Sequence, residues 1–334
     1  MANILVTGAA GFIGSHLSEA LVLRGDRVVG LDAFDDFYDP AVKRSNVAGL
    51  IGSAAFRLVE GDIRDRDIAN AAMADVDVVV HLAARAGVRP SIENPALYQD
   101  VNVGGTLCLL EAAKARGIEK FVFASSSSVY GNNEKVPFAE TDSVDHPISP
   151  YAATKKAGEL LCHTYHHLYG MDVTCLRYFT VYGPRQRPDL AIHKFVRLIE
   201  AGEPIPVFGD GSMRRDHTYI GDIVAGTLAA IDRCGGYHLY NLGNSSPVRL
   251  DALVAAIETA LGEKAVITRL PEQPGDVNVT YADVSLAKRE LGYEPRTPLE
   301  TGLRHFVEWF RSPRTAVHPP ATVWREPATR QPTR

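Results

Sequence analysis

Ile4-Leu5-Val6-Thr7-Gly8-Ala9-Ala10-Gly11-Phe12-Ile13-Gly14 runs four apolar or β-branched residues into three glycines spaced three apart. The first four predict a strand. Beyond them Ile13, Leu17 and Leu21 recur every four residues, the stripe of a helix packed on a sheet, until Gly25-Asp26 breaks it. Gly8, Gly11 and Gly14 let the chain turn tightly and bring backbone close to a pyrophosphate. The helix N-terminus, with Phe12 and Ile13 in its first turn, then offers unpaired N–H groups and partial positive charge. A chain with 28 glycines meets this spacing by chance, so the weight lies in its placement between a strand and a helix.

Working outward, residues 27–32 predict a second strand, and 56–59, 78–82, 121–124 and 173–176 predict four more. All are apolar on both faces and alternate with amphipathic stretches. That pattern belongs to a doubly wound α/β fold, a parallel Rossmann sheet covered by helices on both sides. Asp32 ends the second strand. A carboxylate there accepts hydrogen bonds from an adenosine ribose and repels a 2′-phosphate, which selects NAD over NADP, although Lys43 and Arg44 lie close enough to hold a phosphate. Asp62 and Ile63, after the third strand, are placed to bracket an adenine. Leu82, Ala83, Ala84 and Arg85, after the fourth, are placed to line the middle of the cofactor.

The second half has longer polar connections, at 208–216 and 271–276, between helices expected at 191–201, 222–233, 250–261 and 299–310. It predicts a smaller α/β substrate-binding lobe with the ligand between the lobes. We divide the chain into an NAD-binding domain over 1–178, with 216–243 returning to it, a lobe mainly over 179–310, and a Pro/Arg-rich tail over 311–334 that reads as disordered or surface-draped. No internal repeat is visible. The net charge of −5 argues against nucleic-acid and anionic-membrane partners. Four scattered cysteines read as buried thiols in a reducing cytoplasm. A chain that opens Met1-Ala2-Asn3 directly into a strand shows no signal peptide, and no apolar run reaches the ~18 residues of a membrane span.

Tyr151 and Lys155 are four apart where a helix begins, after Ser149-Pro150, and so share one face. An ammonium ~5 Å from a phenol, at an effective dielectric of ~20, favours the phenolate by roughly 3 kcal/mol, about two pKa units. Such a phenolate takes a hydroxyl proton. The pair gains weight from Ser125, Ser126, Ser127 and Ser128, which close the fifth strand at the carboxyl edge where these sheets bind ligands. His163 and His167 share a helical face but lack the further ligand that a metal site needs. No metal is expected. Arg215 lies in a glycine-rich loop suited to a nucleotide diphosphate.

Together these segments resemble the extended short-chain dehydrogenase/reductase family, and within it the nucleotide-sugar 4-epimerases, over about residues 4–310. The matching motifs are the glycine turn, His81 to Arg85, SSSSVYG from Ser125, Tyr151 to Lys155, RYFTVYGP from Arg177, and residues 209–220. The resemblance implies Tyr151 as base, Lys155 as its electrostatic partner, Ser126 as a shared hydroxyl, and Asn102 and Tyr178 beside a retained NAD. It also implies a homodimer formed through the helices near 97–115 and 151–168. Related dehydratases and decarboxylases carry acids after the equivalent of Ser126. Here both following residues are serines, which favours simple return of hydride. The stretch from Phe34 to Arg44 looks like that of UDP-glucuronate 4-epimerases. Thr180 with Ser127, Ser128 and Arg185 would hold a sugar carboxylate, Arg215 the diphosphate and Asp276 the uridine ribose. Gln273 departs from the diphosphate-binding arginine of glucose epimerases. Open alternatives are a UDP-glucose/UDP-galactose 4-epimerase and, from another class, a catalytically silent NAD-binding sensor or scaffold.

Overall fold

A computed structural model describes residues 1–271 and 277–312. Six strands come first: β1 (Asn3–Thr7), β2 (Arg27–Asp32), β3 (Phe56–Glu60), β4 (Val78–His81), β5 (Lys120–Ser126) and β6 (Asp172–Tyr178). They are followed by β7 (Thr180–Tyr182), β8 (Ile205–Phe208), β9 (Arg214–Tyr219), β10 (Tyr237–Leu242), β11 (Pro247–Arg249) and β12 (Ile267–Leu270). The large sheet has the order β10-β6-β5-β4-β1-β2-β3, and every pairing in it is parallel. The order reverses between β1 and β4. At that switch the loops leaving the carboxyl ends diverge and open a crevice.

Because side chains alternate along a strand, each central strand feeds two cores. Ile4, Val6, Val122 and Leu176 face one side, where they meet Leu17 and Leu21 of the helix Phe12–Arg24 and Ile223 and Ile231 of the helix Ile220–Asp232. Leu5, Val79, Phe121, Phe123 and Val173 face the other. There they meet Ala69, Leu109, Leu110 and Cys162, carried by the helices Arg66–Ala72, Gly105–Ala115 and Pro150–Tyr169. The strands and helices expected in the first half are all present. Those expected at 191–201, 222–233, 250–261 and 299–310 form as Ala191–Glu200, Ile220–Asp232, Leu250–Leu261 and Leu299–Phe310.

At Phe179, whose N–H donates to Leu242 O at 3.0 Å, the chain leaves the large sheet and begins a second assembly. A three-stranded sheet, β11-β9-β7, and a parallel pair, β12-β8, lie there. A separate core packs Phe195, Ile199, Leu253, Ile257, Leu303 and Phe306 from three helices. Among the described residues no helix is long and apolar enough to cross a membrane. Asp276, Gln273 and the tail beyond Ser312 lie outside the described residues.

Candidate active site

Gly8 has φ +70, and its N–H donates to Leu31 O at 2.7 Å, tying the first turn to β2. A Cβ at Gly8 would stand 2.9 Å from Ala83 N, and one at Gly14 would stand 2.1 Å from Gly8 O. Both are backbone atoms that cannot give way. The turn therefore requires glycine at these points, and it begins the helix whose N-terminus faces a cleft of about 450 Å³. Asp32 is buried at the rim and accepts from Ala10 N and Phe34 N, both at 2.9 Å. Burial pushes its carboxyl above the usual range. The two nearby cations are engaged elsewhere: Lys43 donates to Asp35 O at 2.7 Å, and Arg44 pairs with Glu60 at 2.9 Å. A cradle without side chains, ending at a buried carboxylate, fits an NAD pyrophosphate and ribose.

Gly8, Gly11, Phe12, Ile13, Gly14, Asp32, Asp62, Ile63, Leu82, Ala83, Ala84, Arg85, Ser126, Ser127, Ser128, Tyr151, Lys155, Tyr178 and Thr180 all line this one cleft. Asp62 shares its carboxylate with Arg64 at 2.7 Å. Tyr178 turns its hydroxyl away to Thr227 at 2.9 Å. Asn102 does not line the cleft. It lies buried in a π-helical turn, Gln99–Gly104, its amide oxygen accepting from Arg85 N at 2.8 Å and its amide nitrogen donating to Arg85 O at 3.0 Å. The same nitrogen donates to Thr154 Oγ1 at 3.0 Å, and Thr154 Oγ1 donates to Tyr151 O at 2.8 Å. Asn102 thus braces the loop after β4 against the helix that carries Tyr151.

That helix, Pro150–Tyr169, is capped by Ser149, which accepts from Ala152 N at 3.2 Å. It is locked to the sheet from beneath by Glu159. This buried carboxylate accepts from Ser125 Oγ at 2.6 Å and from Arg177 Nε and Nη2 at 2.8 and 2.9 Å. Tyr151 stands at the helix start, edge-on to Tyr98 with ring centroids 6.3 Å apart, and lines the cleft beside Ser126. Ser126 donates in turn to Ser128 Oγ at 3.1 Å.

The structure corrects the expected electrostatics of the phenol. Burial raises the Tyr151 pKa, and the groups that oppose it are Ser126 and Arg187. The buried Lys155 ammonium instead donates to Ala124 O at 2.7 Å, at the end of β5, and burial lowers its pKa to about 8. Helical spacing brings the two residues to one cleft, but a lysine is long enough to find a strand carbonyl. Burial therefore raises the phenol where helical spacing alone predicts a depression.

Arg185 is the second correction. It has φ +64, points its guanidinium at Glu19 (2.7 Å) on the glycine-turn helix, and does not line the cleft. Arg187, two residues on, does line it. Sequence reading missed Arg187; its signal was a second arginine in the same motif, and the left-handed turn at Arg185 decides which one faces inward. Asp35, Phe37 and Tyr38 also line the cleft, with Asp35 paired to Arg85 at 2.6 Å. A second cavity of about 150 Å³ shares Ser127, Ser128 and Thr180 with the first and reaches Arg215. Among the described residues no group of three His, Cys, Asp or Glu is arranged to hold a metal. His163 is exposed and sits edge-on to Tyr237.

Comparison with known proteins agrees with this geometry. Residues 4–243 match the model of the NAD dependent epimerase/dehydratase family. The chain is 49% identical over 331 residues to UDP-glucuronate 4-epimerase 4 of Arabidopsis thaliana, covering 93% of this chain and 75% of the relative. It is 45% identical over 312 residues to UDP-glucuronate 4-epimerase of Thermodesulfobacterium geofontis (strain OPF15), covering 92% and 96%. Among solved structures it superposes with TM-score 0.88 and 39% identity on UDP-glucuronic acid 4-epimerase from Bacillus cereus in complex with UDP-glucuronic acid and NAD, covering 92% and 98%.

Proposed function

Because the chain belongs to the NAD dependent epimerase/dehydratase family, we propose that it inverts the 4-hydroxyl of UDP-glucuronate to give UDP-galacturonate. The observation that carries this reading is the convergence of Ser126, Tyr151 and Lys155 in the cleft that the glycine turn opens. When bound, NAD supplies hydride acceptance and return at C4 of the sugar; Gly8, Gly11, Gly14, Asp32 and the loop after β4 would hold it.

Tyr151 is the base. Ser126 shares the proton of the substrate hydroxyl with it and pulls its pKa back from the high value that burial imposes. Lys155, fixed to Ala124 O, places an ammonium at the end of β5 rather than on the phenol, where it orients whatever hydroxyl enters. Neither Ser127 nor Ser128 is an acid able to eliminate water, so return of hydride to the other face of the 4-keto sugar is favoured over dehydration.

A 4-keto glucuronate is a β-keto acid and loses CO2 when its carboxylate stands perpendicular to the carbonyl plane. The hydroxyls of Ser127, Ser128 and Thr180 line both cavities and Arg187 lines the larger; hydroxyls with a guanidinium fork suit a carboxylate held in one orientation. Arg215 in the second cavity suits the diphosphate.

A homodimer is supported by Leu107, Leu160, Leu168 and Tyr169, large apolar side chains left exposed on the helices Gly105–Ala115 and Pro150–Tyr169. A cytoplasmic location is supported by four free cysteines. The two-lobe division at residue 178, with a return to the large lobe, is supported by β10 pairing with β6 and by the helix Ile220–Asp232 packing on the large sheet, whereas 216–219 belong to β9 of the second assembly.

Incubation of the purified protein with UDP-glucuronate and no added cofactor, with the sugars resolved by NMR, tests the reading. UDP-galacturonate is expected. Turnover of UDP-glucose alone would make it a glucose epimerase, and turnover of neither would make it a silent binding protein.

A further inference from the structure

Arg187 is bracketed by one side chain that the proposed chemistry leaves without a role. Asp189 accepts from Arg187 Nε at 2.9 Å and from Nη2 at 2.7 Å, the two-point geometry in which a carboxylate fixes the plane of a guanidinium. Both side chains are four-fifths buried. Across the guanidinium face lies Phe37, 5.4 Å from Arg187 Cζ, and Arg85 packs on the same ring at 5.8 Å. The backbone beneath is held as well. Gln186 is buried, donates to Val181 O at 3.0 Å, and accepts at its own backbone carbonyl from His193 Nδ1 at 2.5 Å.

In this mount Nε and one Nη2 proton are already spent, and Nη1 with the second Nη2 proton remains on the outer edge. An arginine has five such protons in a rigid fork, so one guanidinium can serve two carboxylates, one along each edge. Resting on the reading that the substrate carries a carboxylate, we propose that Asp189 is a positioning residue that fixes the Arg187 fork, so that it meets the sugar carboxylate along a single edge and keeps the 4-keto uronate from losing CO2. The reaction thus suppressed is balanced without an added reagent: the C5–carboxylate bond breaks, its electron pair passes into the enolate of the 4-ketone, CO2 departs, and C5 takes a proton.

The test compares Asp189→Ala, Asp189→Asn and Asp189→Glu in the NAD-loaded enzyme. Kd values for UDP-glucuronate and UDP-glucose are measured by calorimetry, and the CO2 released per epimerisation is measured from carboxyl-labelled UDP-glucuronate. Asp189→Ala is expected to weaken UDP-glucuronate about tenfold relative to UDP-glucose and to raise the share of turnovers ending in CO2. Asp189→Asn, which keeps one acceptor and the shape of the loop, is expected to show both effects at reduced size, and Asp189→Glu to recover part of the binding ratio. If Asp189→Ala does not fold, Asp189→Asn decides. A general loosening of the loop would weaken both sugars equally and leave the CO2 share alone. That result overturns the proposal, as does a binding ratio and CO2 share within twofold of wild type. Wild type inert on UDP-glucuronate overturns the functional reading and this inference together, whereas active wild type with unaffected variants overturns this inference alone.

Discussion

Replacing Glu159 with Gln should destabilise the protein by about 3–5 kcal/mol, the cost of leaving one member of a buried ion pair without its counter-charge. The structure makes a large effect the expectation. The side chains of Arg177 and Glu159 are only 2% and 1% exposed. Arg177 Nη1 already lacks a hydrogen-bond partner, the guanidinium would keep only the face of the Tyr130 ring 4.8 Å away, and Ser125 Oγ would lose its charged acceptor. At roughly 2 °C per kcal/mol for a chain of this size, the melting temperature should fall by about 6–10 °C. The assay is thermal unfolding followed by circular dichroism at pH 7.5 with saturating NAD, repeated down to pH 4. Burial raises the Glu159 pKa, but the hydrogen bonds and charge of Arg177, with Ser125, outweigh it and hold the carboxyl below its ordinary 4.5. The ion-pair contribution is therefore present above about pH 4.5 and lost as pH falls through the depressed folded-state value. Wild type and Glu159→Gln should accordingly converge in acid. Replacing both partners, as Glu159→Leu with Arg177→Met, should recover much of the loss, because no charge is then stranded. A drop below 2 °C at neutral pH, or a gap that widens in acid, would refute the reasoning.

Tyr151→Phe should lower kcat at least 100-fold while leaving UDP-sugar affinity within about threefold; loss of binding in place of turnover would remove the phenol from the role of base. Gly14→Ala puts a methyl 2.1 Å from Gly8 O and should yield protein that purifies without NAD, judged by the nucleotide released on denaturation; normal NAD content would show that the turn is looser than described. Arg187→Met should weaken UDP-glucuronate about 10–100-fold against a small change for UDP-glucose, read by calorimetry, whereas Arg185→Met should not separate the two sugars. The opposite assignment would restore Arg185 to the carboxylate.

The large sheet was legible because its strands are buried on both faces and end in turns that leave a mark in composition, Gly8 and Gly14 above all. The strands of the second lobe were not. β7, β11 and β12 have three or four residues each, too few to show a period, and they exist because neighbours supply their pairing. In the site, spacing along one helix correctly brought Tyr151 and Lys155 to a common cleft. It could not report that Lys155 reaches Ala124 O, since that carbonyl belongs to another element. The choice between Arg185 and Arg187 turned on one left-handed residue, which arginine does not advertise. The resemblance implies a cofactor contact for Asn102, yet its amide is consumed by Arg85 and Thr154. Its place in a π-helical turn is set by packing rather than by sequence pattern.

His16 Nε2 donates to Pro184 O at 2.9 Å, and Glu19, one turn further along the same helix, holds Arg185. The rod that presents its amides to the pyrophosphate therefore also suspends the segment leading to Arg187. With one beam bearing both seats, a substitution that tilts this helix shifts the dinucleotide cradle and the sugar side together.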